Sequence, residues 1–301
     1  MNIGVIGVGT MGKNHVRIYS ELKGVDNIYV YDINEKQAKS LKEDVTVCSY
    51  IDTLLSYADA VSICVPTMHH FKVAKKAIEK GVHCLIEKPI TSTITEEEHL
   101  LQMCKDTDLV IGVGHTERFN PIISEIKKIV KKPLLIGIAR HNPGSARIND
   151  TSIVEDLMIH DIDILFNVLL PDEAYKVFSS GDSDFCVALF DFTSTTAWLS
   201  ASRKAKKKIR KIYIEEEDFT LEGDFMNQEI YVYRHPSEYV LEDERYVQES
   251  VIEKVLVNKV EPLREELKTF IKCAREGKEF PVTPLQGLNN LMKCDEILER
   301  R

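Results

Sequence analysis

"NIGVIGVGTMG", residues 2 to 12, begins as a short apolar run and ends in three glycines, Gly7, Gly9 and Gly12, spaced G-x-G-x-x-G. Alone, that spacing says little. Here it follows a strand-like run and opens the helical pattern Met11 to Leu22. A second apolar run, "NIYVYD", ends at Asp32, twenty positions after Gly12. Together these make the dinucleotide fingerprint: a tight turn at the first glycine, close backbone approach to a pyrophosphate at the second, helix–strand contact at the third. Thr10 and Met11 stand in the first helical turn, where free N–H groups and a partial positive charge suit phosphate. Asp32 offers a carboxylate to both ribose hydroxyls. A 2′-phosphate would meet like charge there, and no arginine follows, so the expected cofactor is NAD rather than NADP. The competing reading is a glycine-rich turn that holds no ligand.

The same alternation continues outward. After the helix Asn34 to Lys42 come the strand "DAVSICV", the helix Phe71 to Lys80 stopped at Gly81, the strand "VHCLIE", the helix Glu96 to Lys105 and the strand "LVIGVG". Strands that alternate with helices and are apolar throughout belong to a parallel sheet covered on both faces. Past Phe119 the pattern changes. A helix (Pro121 to Val130) and the strand "LLIGIARH" lead through "NPGSARIND" to an apolar helix, then to a succession of strands: "AYKVFSS", "FCVALFDF", "TTAWLSASR", "KIRKIYIEE", "FTLEG" and "QEIYVYR". Helices return at Pro262 to Arg275 and Leu285 to Leu298. The expected fold is an α/β N-terminal Rossmann domain with a parallel sheet, residues 1–118, plus an α+β C-terminal domain with a mostly antiparallel open sheet, residues 119–301. The last helices are free to pack back on the first domain.

Bulk properties bound the function. The chain has 301 residues, 44% hydrophobic and 29% charged, with net charge −9. An acidic protein is a poor binder of nucleic acid. No apolar run approaches the ~20 residues of a membrane span, and residues 1 to 9 lack the basic start of a signal peptide. The seven cysteines form no C-x-x-C pair, so neither a zinc knuckle nor a disulfide framework is expected, and the reducing cytoplasm fits.

Two stretches carry candidate chemistry. "EDLMIHDID", residues 155 to 163, continues helically to Leu169. At about 100° per residue, Asp156, His160, Asp163 and Asn167 share a stripe roughly 60° wide, on a helix otherwise apolar nearly all round. A polar stripe on a buried helix must be paired or face water. It can be a reactive site or a satisfied seam. Asp161 falls off the stripe, as a local pairing or surface residue. The second stretch, "IEKPI", puts Lys88 at the C-terminal edge of a parallel strand, where ligands of such sheets collect, with Pro89 biasing it to an extended backbone. An ordinary surface lysine is the alternative.

"GVGTMG", "VPTMHH", "EKP", "GHTERFNP" and "DLMIHDID", in this order, resemble the glucose–fructose oxidoreductase / inositol dehydrogenase (Gfo/Idh/MocA) family across the whole chain. "GHTERFNP", "LMIHDIDIL", "SASRKAKKKIRKIYI" and "GDFMNQEI" look most like its nucleotide-sugar branch, the UDP-N-acetylglucosamine 3-dehydrogenases. The resemblance implies hydride transfer between nicotinamide and a sugar carbon, here C3 of a UDP-N-acetyl sugar. A free sugar or inositol is the alternative substrate, and a non-catalytic NAD-binding regulator the alternative of another class. The resemblance makes Lys88, Asp156 and His160 catalytic. It puts Val65, Pro66, Thr67, His70, Glu87 and Lys88 with Gly7, Gly9, Thr10, Met11, Gly12 and Asp32 around the dinucleotide. Arg118, Asn120 and Asp163 become candidate substrate contacts. It also implies a homodimer or homotetramer through the C-terminal sheet. The family's glycine-rich lead-in to the Asp is replaced by "TSIVED". No metal is expected, because zinc needs three or four converging ligands and no second His/Cys cluster shows suitable spacing. Either Lys88 or His160 can serve as base; His160 oriented by Asp156, with Lys88 stabilising the alkoxide, is preferred.

Other features read more plainly. Lys204, Lys206, Lys207, Lys208, Arg210 and Lys211 form a solvated surface or a dock for a sugar-nucleotide pyrophosphate. Trp198 reads as core, "EEED" (215 to 218) as a charged turn, and Tyr231, Tyr233, Arg234 and His235 as residues within conceivable reach of substrate.

Overall fold

A computed structural model describes residues 1–143, 151–171, 173–234, 240–242, 245–247 and 251–300. Two compact units result: Met1–Phe119 with Glu261–Met292, and Asn120–Val260 with Lys293–Arg301.

The first unit holds a six-stranded, all-parallel sheet of β1 (Asn2–Ile6), β2 (Asn27–Tyr31), β3 (Thr46–Val47), β4 (Ala60–Ile63), β5 (His83–Glu87) and β6 (Ile111–Gly114), in the order β3-β2-β1-β4-β5-β6. Five helices connect the strands: α1 (Thr10–Glu21), α2 (Glu35–Lys39), α3 (Ile51–Tyr57), α4 (His70–Glu79) and α5 (Ile94–Lys105). The strand order reverses beside β1, so the glycine turn after β1 lies at the switch point where such sheets bind ligands. Ile3, Val5, Ile6, Val61, Ile63, Leu85 and Ile86 are buried, as expected for strands covered on both faces. The expected parallel Rossmann sheet is present. Strand β3 and helix α3 are additions to the sequence reading, since two residues and two turns give little periodicity to detect. This unit also contains α8 (Pro262–Glu276), whose Leu267, Phe270 and Ile271 join the core, and the first part of α9 (Pro284–Glu299).

The second unit is built on an eight-stranded sheet. Its strands are β7 (Leu135–His141), β8 (Tyr175–Gly181), β9 (Phe185–Phe192), β10 (Thr196–Ser202), β11 (Ile209–Glu215), β12 (Phe219–Asp224), β13 (Glu229–Arg234) and β16 (Ile252–Val255), in the order β16-β13-β12-β11-β7-β10-β9-β8. All neighbours are antiparallel except β7 and β10. Two short strands, β14 (Val240–Glu242) and β15 (Arg245–Val247), pair separately. One face buries Ile136, Ile138, Phe190, Leu199, Ile212 and Val232 with Ile122 and Ile126 of α6 (Pro121–Ile129). The other face is open. Phe178, Phe185, Val187 and Leu189 are exposed on it, and Trp198 is half-buried. Trp198 is therefore not core: its indole covers Gly137 on the neighbouring strand, where a Cβ would meet Cε2 at 2.3 Å.

Between β7 and β8 lies the apolar helix. It is not one α-helix. Val154–Met158 and Leu165–Leu169 are π-helical and flank a short α segment, α7 (Ile159–Ile164). The loop "NPGSARIND" falls almost entirely outside the described residues.

Candidate functional site

The phosphate end comes first. Gly7 has φ +87°, and a Cβ there would meet the Cys64 carbonyl oxygen at 2.8 Å. At Gly12 a Cβ would stand 1.9 Å from the Gly7 oxygen. Both glycines are thus required by the protein's own packing. Gly9 differs: nothing lies within 4 Å of its virtual Cβ. It caps α1 without any side-chain hydrogen bond, and no acidic residue occupies the first turn. The helix therefore keeps its first N–H groups available, beside exposed Thr10 and Met11. Asp32 braces the turn. Its Oδ2 accepts from Val8 N at 2.8 Å and its Oδ1 from Asn34 N at 2.8 Å. This cradle fits a dinucleotide pyrophosphate and ribose.

The next strand ends are tied together by His70. Its Nδ1 lies 2.8 Å from the Pro89 carbonyl oxygen and its Nε2 2.8 Å from that of Val65. Burial pulls this imidazole below its ordinary pKa, against the raising effect of the two carbonyls. His70 thereby links Val65, exposed Pro66 and the 3-10 turn Thr67–His69 to the turn carrying Lys88. Lys88 is half-buried, and the Lys88–Pro89 peptide is cis. Glu87, the last residue of β5, is buried. Its Oε1 meets His15 Nε2 at 3.0 Å and its Oε2 accepts from Lys88 N at 3.3 Å. Burial raises the Glu87 carboxyl, but the His15 hydrogen bond and charge, with those of Lys88 and His70, outweigh it and hold the pKa below the ordinary value. Cys64 lies against this pair. Its thiol is pushed well above its ordinary pKa by burial and by the carboxylates of Glu87 and Glu266. Sequence reading found no ligand cluster. In space, His15, Cys64 and Glu87 bring three donor atoms within 4.8 Å of one another. Gaps of 49 and 23 residues hide that convergence from any spacing rule.

In the second unit, the segment from Ser152 to Leu169 carries the polar stripe. The stretch "TSIVED" has a local purpose: Ser152 and Glu155 form a capping box. Glu155 N donates to Ser152 Oγ at 3.1 Å, and Ser152 N donates to Glu155 Oε2 at 3.1 Å. Asp156 is buried, and its Oδ2 accepts from Arg203 Nη2 at 3.2 Å. The same Nη2 also donates to the Thr151 carbonyl at 3.0 Å. His160 is half-buried, and Asp163 is buried with Oδ1 accepting from Asn167 Nδ2 at 3.0 Å. Asp161, expected to be local or superficial, is fully buried. Arg140 Nη2 and Nε reach its Oδ1 at 2.7 and 3.0 Å. The π-helical turns shift residues away from a strict 3.6 period, and the partner on β7 was invisible to a helical wheel.

Of the remaining candidates, half-buried Arg118 lies in the 3-10 turn Thr116–Phe119, its N–H on the His115 carbonyl. Asn120 caps α6 and donates through Nδ2 to the Phe225 carbonyl at 3.0 Å, a task internal to the fold. Tyr231 and Tyr233 hydrogen-bond to Glu229 and Glu222, and Arg234 pairs with Glu253, all within the open sheet. His235 lies outside the described residues. Lys204 pairs with Asp184, and Lys206, Lys207, Lys208 and Lys211 are exposed, as a solvated surface would be. Arg203, on the edge of that basic run, was missed. Its burial against Asp156 gives no signal in a lysine-rich sequence.

Residues 1–115 match the family model described as "Oxidoreductase family, NAD-binding Rossmann fold" (GFO_IDH_MocA). The UDP-N-acetylglucosamine 3-dehydrogenase of Acidithiobacillus ferrooxidans is 33% identical over 243 residues, 77% of this chain and 77% of that protein. The myo-inositol 2-dehydrogenase of Thermotoga maritima is 26% identical over 198 residues, 60% of this chain and 58% of that protein. A solved structure of the Acidithiobacillus enzyme superposes with a TM-score of 0.86 at 27% identity, covering 100% of this chain and 97% of that one. Glycine cradle, sheet order and whole-length similarity agree: the chain is an oxidoreductase and belongs to the Gfo/Idh/MocA family.

Proposed function

We propose that the protein is an NAD-dependent dehydrogenase that oxidises the C3 hydroxyl of a UDP-N-acetyl sugar, UDP-N-acetylglucosamine by preference, to a 3-keto sugar. The observation that carries this reading is the 33% identity, over 77% of both chains, to an enzyme named for that activity. Inositol dehydrogenases are less similar and match a shorter part of the chain.

The chain's own residues suit the reaction. The bared N-terminus of α1 and the open space at Gly9 receive the pyrophosphate, and Asp32 the adenosine ribose, whose hydroxyls it prefers to a phosphate. When bound, the nicotinamide supplies the hydride acceptor, so no metal is needed as electrophile. Lys88 holds a cation at the sugar oxygen as its proton leaves. His160 takes that proton, with Asp156 turned by Arg203 to set the imidazole. His70 keeps the Lys88 turn fixed to the strand end at Val65.

The test is NADH production from NAD with UDP-N-acetylglucosamine, UDP-N-acetylgalactosamine, N-acetylglucosamine and myo-inositol. Turnover on the UDP sugars, reduced by about 10²–10⁴-fold in Lys88→Ala or His160→Ala with NADH binding retained, is expected. Faster oxidation of myo-inositol refutes the substrate. NADH binding with no turnover on any of them points instead to a regulator.

We also propose that a second copy of the chain covers the open sheet face. The cross-strand row Phe178, Leu189, Trp198, Gly137 and Tyr213, which continues through Glu222 to Tyr231, is a largely apolar surface of the kind that a sheet-to-sheet homo-oligomer buries.

A further inference from the structure

The oxidoreductase reading places Glu87 beside the dinucleotide but gives no task to His15 and Cys64, which cluster with it. His15 and Glu87 share one hydrogen bond, Nε2 to Oε1 at 3.0 Å, while the buried Nδ1 of His15 has no hydrogen-bond partner. The thiol adds a third, chemically different donor, and all three ligand atoms lie within 4.8 Å of one another. They arise from three separately anchored elements. His15 is buried on α1. Cys64 follows β4, its N–H bonded to the Ile6 carbonyl at 2.8 Å. Glu87 ends β5, one position past the Ile63–Ile86 register pair. Two of the backbones are thus held at strand ends of the sheet, and the third by helix α1.

We propose that these three side chains form a site for a borderline-soft divalent cation, with zinc as its fitting occupant. The donor set selects the ion: nitrogen, sulfur and a carboxylate oxygen suit Zn²⁺, whereas magnesium and calcium take oxygen alone. The distances are close to what it needs. Ligands at about 2.0–2.1 Å from a tetrahedral ion stand roughly 3.3 Å apart. The 3.0 Å His15–Glu87 contact opens by a few tenths of an ångström to admit the ion, and the half-buried Cys64 sulfur stands within 4.8 Å of both partners. Electrostatics favours a cation as well. Two buried carboxylates, Glu87 and Glu266, act on Cys64. Coordination displaces the Cys64 thiol proton to solvent, and the fourth position is left to water. Because Glu87 Oε2 accepts from Lys88 N, the bound ion draws on the turn that carries Lys88, and occupancy opposes turnover.

The test needs neither substrate nor cofactor, so its outcome is separate from that of the proposed reaction. Metal-free full-length protein is titrated with Zn²⁺, and with Co²⁺ as a coloured substitute. Expected are one ion per chain and a thiolate-to-cobalt charge-transfer band. Cys64→Ser removes the band and weakens zinc roughly 100-fold, while Cys294→Ser and Cys104→Ser leave both unchanged. A band that survives Cys64→Ser, or absence of stoichiometric zinc binding to wild type, overturns the proposal. Circular dichroism checks that the variant is folded. Should Cys64→Ser unfold, zinc protection of Cys64 from alkylation in the wild-type protein decides: protection supports the site, and equal modification with and without zinc refutes it.

Discussion

Glu97 offers the sharpest test of the physical account of the first unit. It sits in the first turn of α5, fully buried, with neither carboxyl oxygen hydrogen-bonded. Gly287 of α9 closes over it: a Cβ there would lie 3.0 Å from Oε1. The nearby Thr91 hydroxyl gives its hydrogen to the Thr93 carbonyl instead. Burial therefore pushes the Glu97 pKa up from 4.5 to about 8, with only a small lowering from Thr91. The sign is opposite to that of a salt-bridged carboxylate. The unfolded chain releases this proton above its ordinary pKa, while the folded chain keeps it until about pH 8, so the group's contribution to stability falls as pH rises through that window. From the two pKa values, the penalty is about 2 kcal/mol at pH 6 and about 4 kcal/mol at pH 8, a change of about 2 kcal/mol. Glu97→Gln keeps the shape and removes the proton equilibrium. Urea unfolding of wild type and variant at pH 6 and pH 8, followed by circular dichroism, should show the variant gaining about 2 kcal/mol relative to wild type between the two pH values. An equal difference at both would mean that the carboxyl is solvated or paired, and would refute the reasoning.

Four further outcomes follow from the geometry. Gly9→Ala should leave the thermal midpoint nearly unchanged but sharply weaken NADH in a fluorescence titration, because its Cβ meets only the space where the pyrophosphate is proposed to lie. Gly12→Ala should instead destabilise the fold, since its Cβ cannot coexist with the Gly7 oxygen at 1.9 Å. Asp161→Asn, which leaves the Arg140 guanidinium buried without its anion, should cost about 3–5 kcal/mol in chemical denaturation. Leu189→Lys should shift any oligomer toward monomer in analytical ultracentrifugation without lowering the melting temperature, as it adds charge to an already exposed position on the open face.

The parallel half of the fold was legible because its signals are local and redundant. The glycines, Asp32 and the strands apolar on both faces all report one arrangement within a few residues of each other. The second sheet was legible as strands in succession, though not in its order: nothing local in "LLIGIARH" says that β7 pairs parallel with β10 and antiparallel with β11. The helix at 154 to 169 shows where periodicity fails. Five residues of π-helix are too few to distinguish from an α turn by apolar spacing, so a wheel assigns faces it cannot know. Trp198 was misread for a related reason. Its strand alternates correctly, but the indole belongs to the open face, and an open apolar face looks like core in sequence. Arg203 and the His15–Cys64–Glu87 cluster depend on partners distant in the chain, which no single-segment pattern contains.

The acid-rich segment 155 to 163 was compatible with a metal site, a reactive stripe or a paired seam, and charge accounting now separates these. Glu155 is used in the capping box. Asp156 and Asp161 each face a buried guanidinium, and Asp163 accepts from Asn167. The two arginines come from the same end of neighbouring parallel strands: Arg140 is in register with Ala201, two residues before Arg203. Sheet register therefore sets two cations against two carboxylates five positions apart on the helix. Buried pairs of this kind add little net stability compared with apolar packing, but they are directional, and two of them fix the helix in both rotation and position along the sheet. That constraint bears on His160, which lies between the two clamped acids. A metal there would have to compete with guanidinium groups already matched to the same oxygens. If the segment serves as a rigid mount for an imidazole, then Arg203→Lys, which keeps the charge but loses the fork, should lower kcat more than it raises KM and should shift the pH profile of kcat. An Arg203→Lys enzyme with unchanged kcat and an unaltered pH profile would reduce the seam to scaffolding.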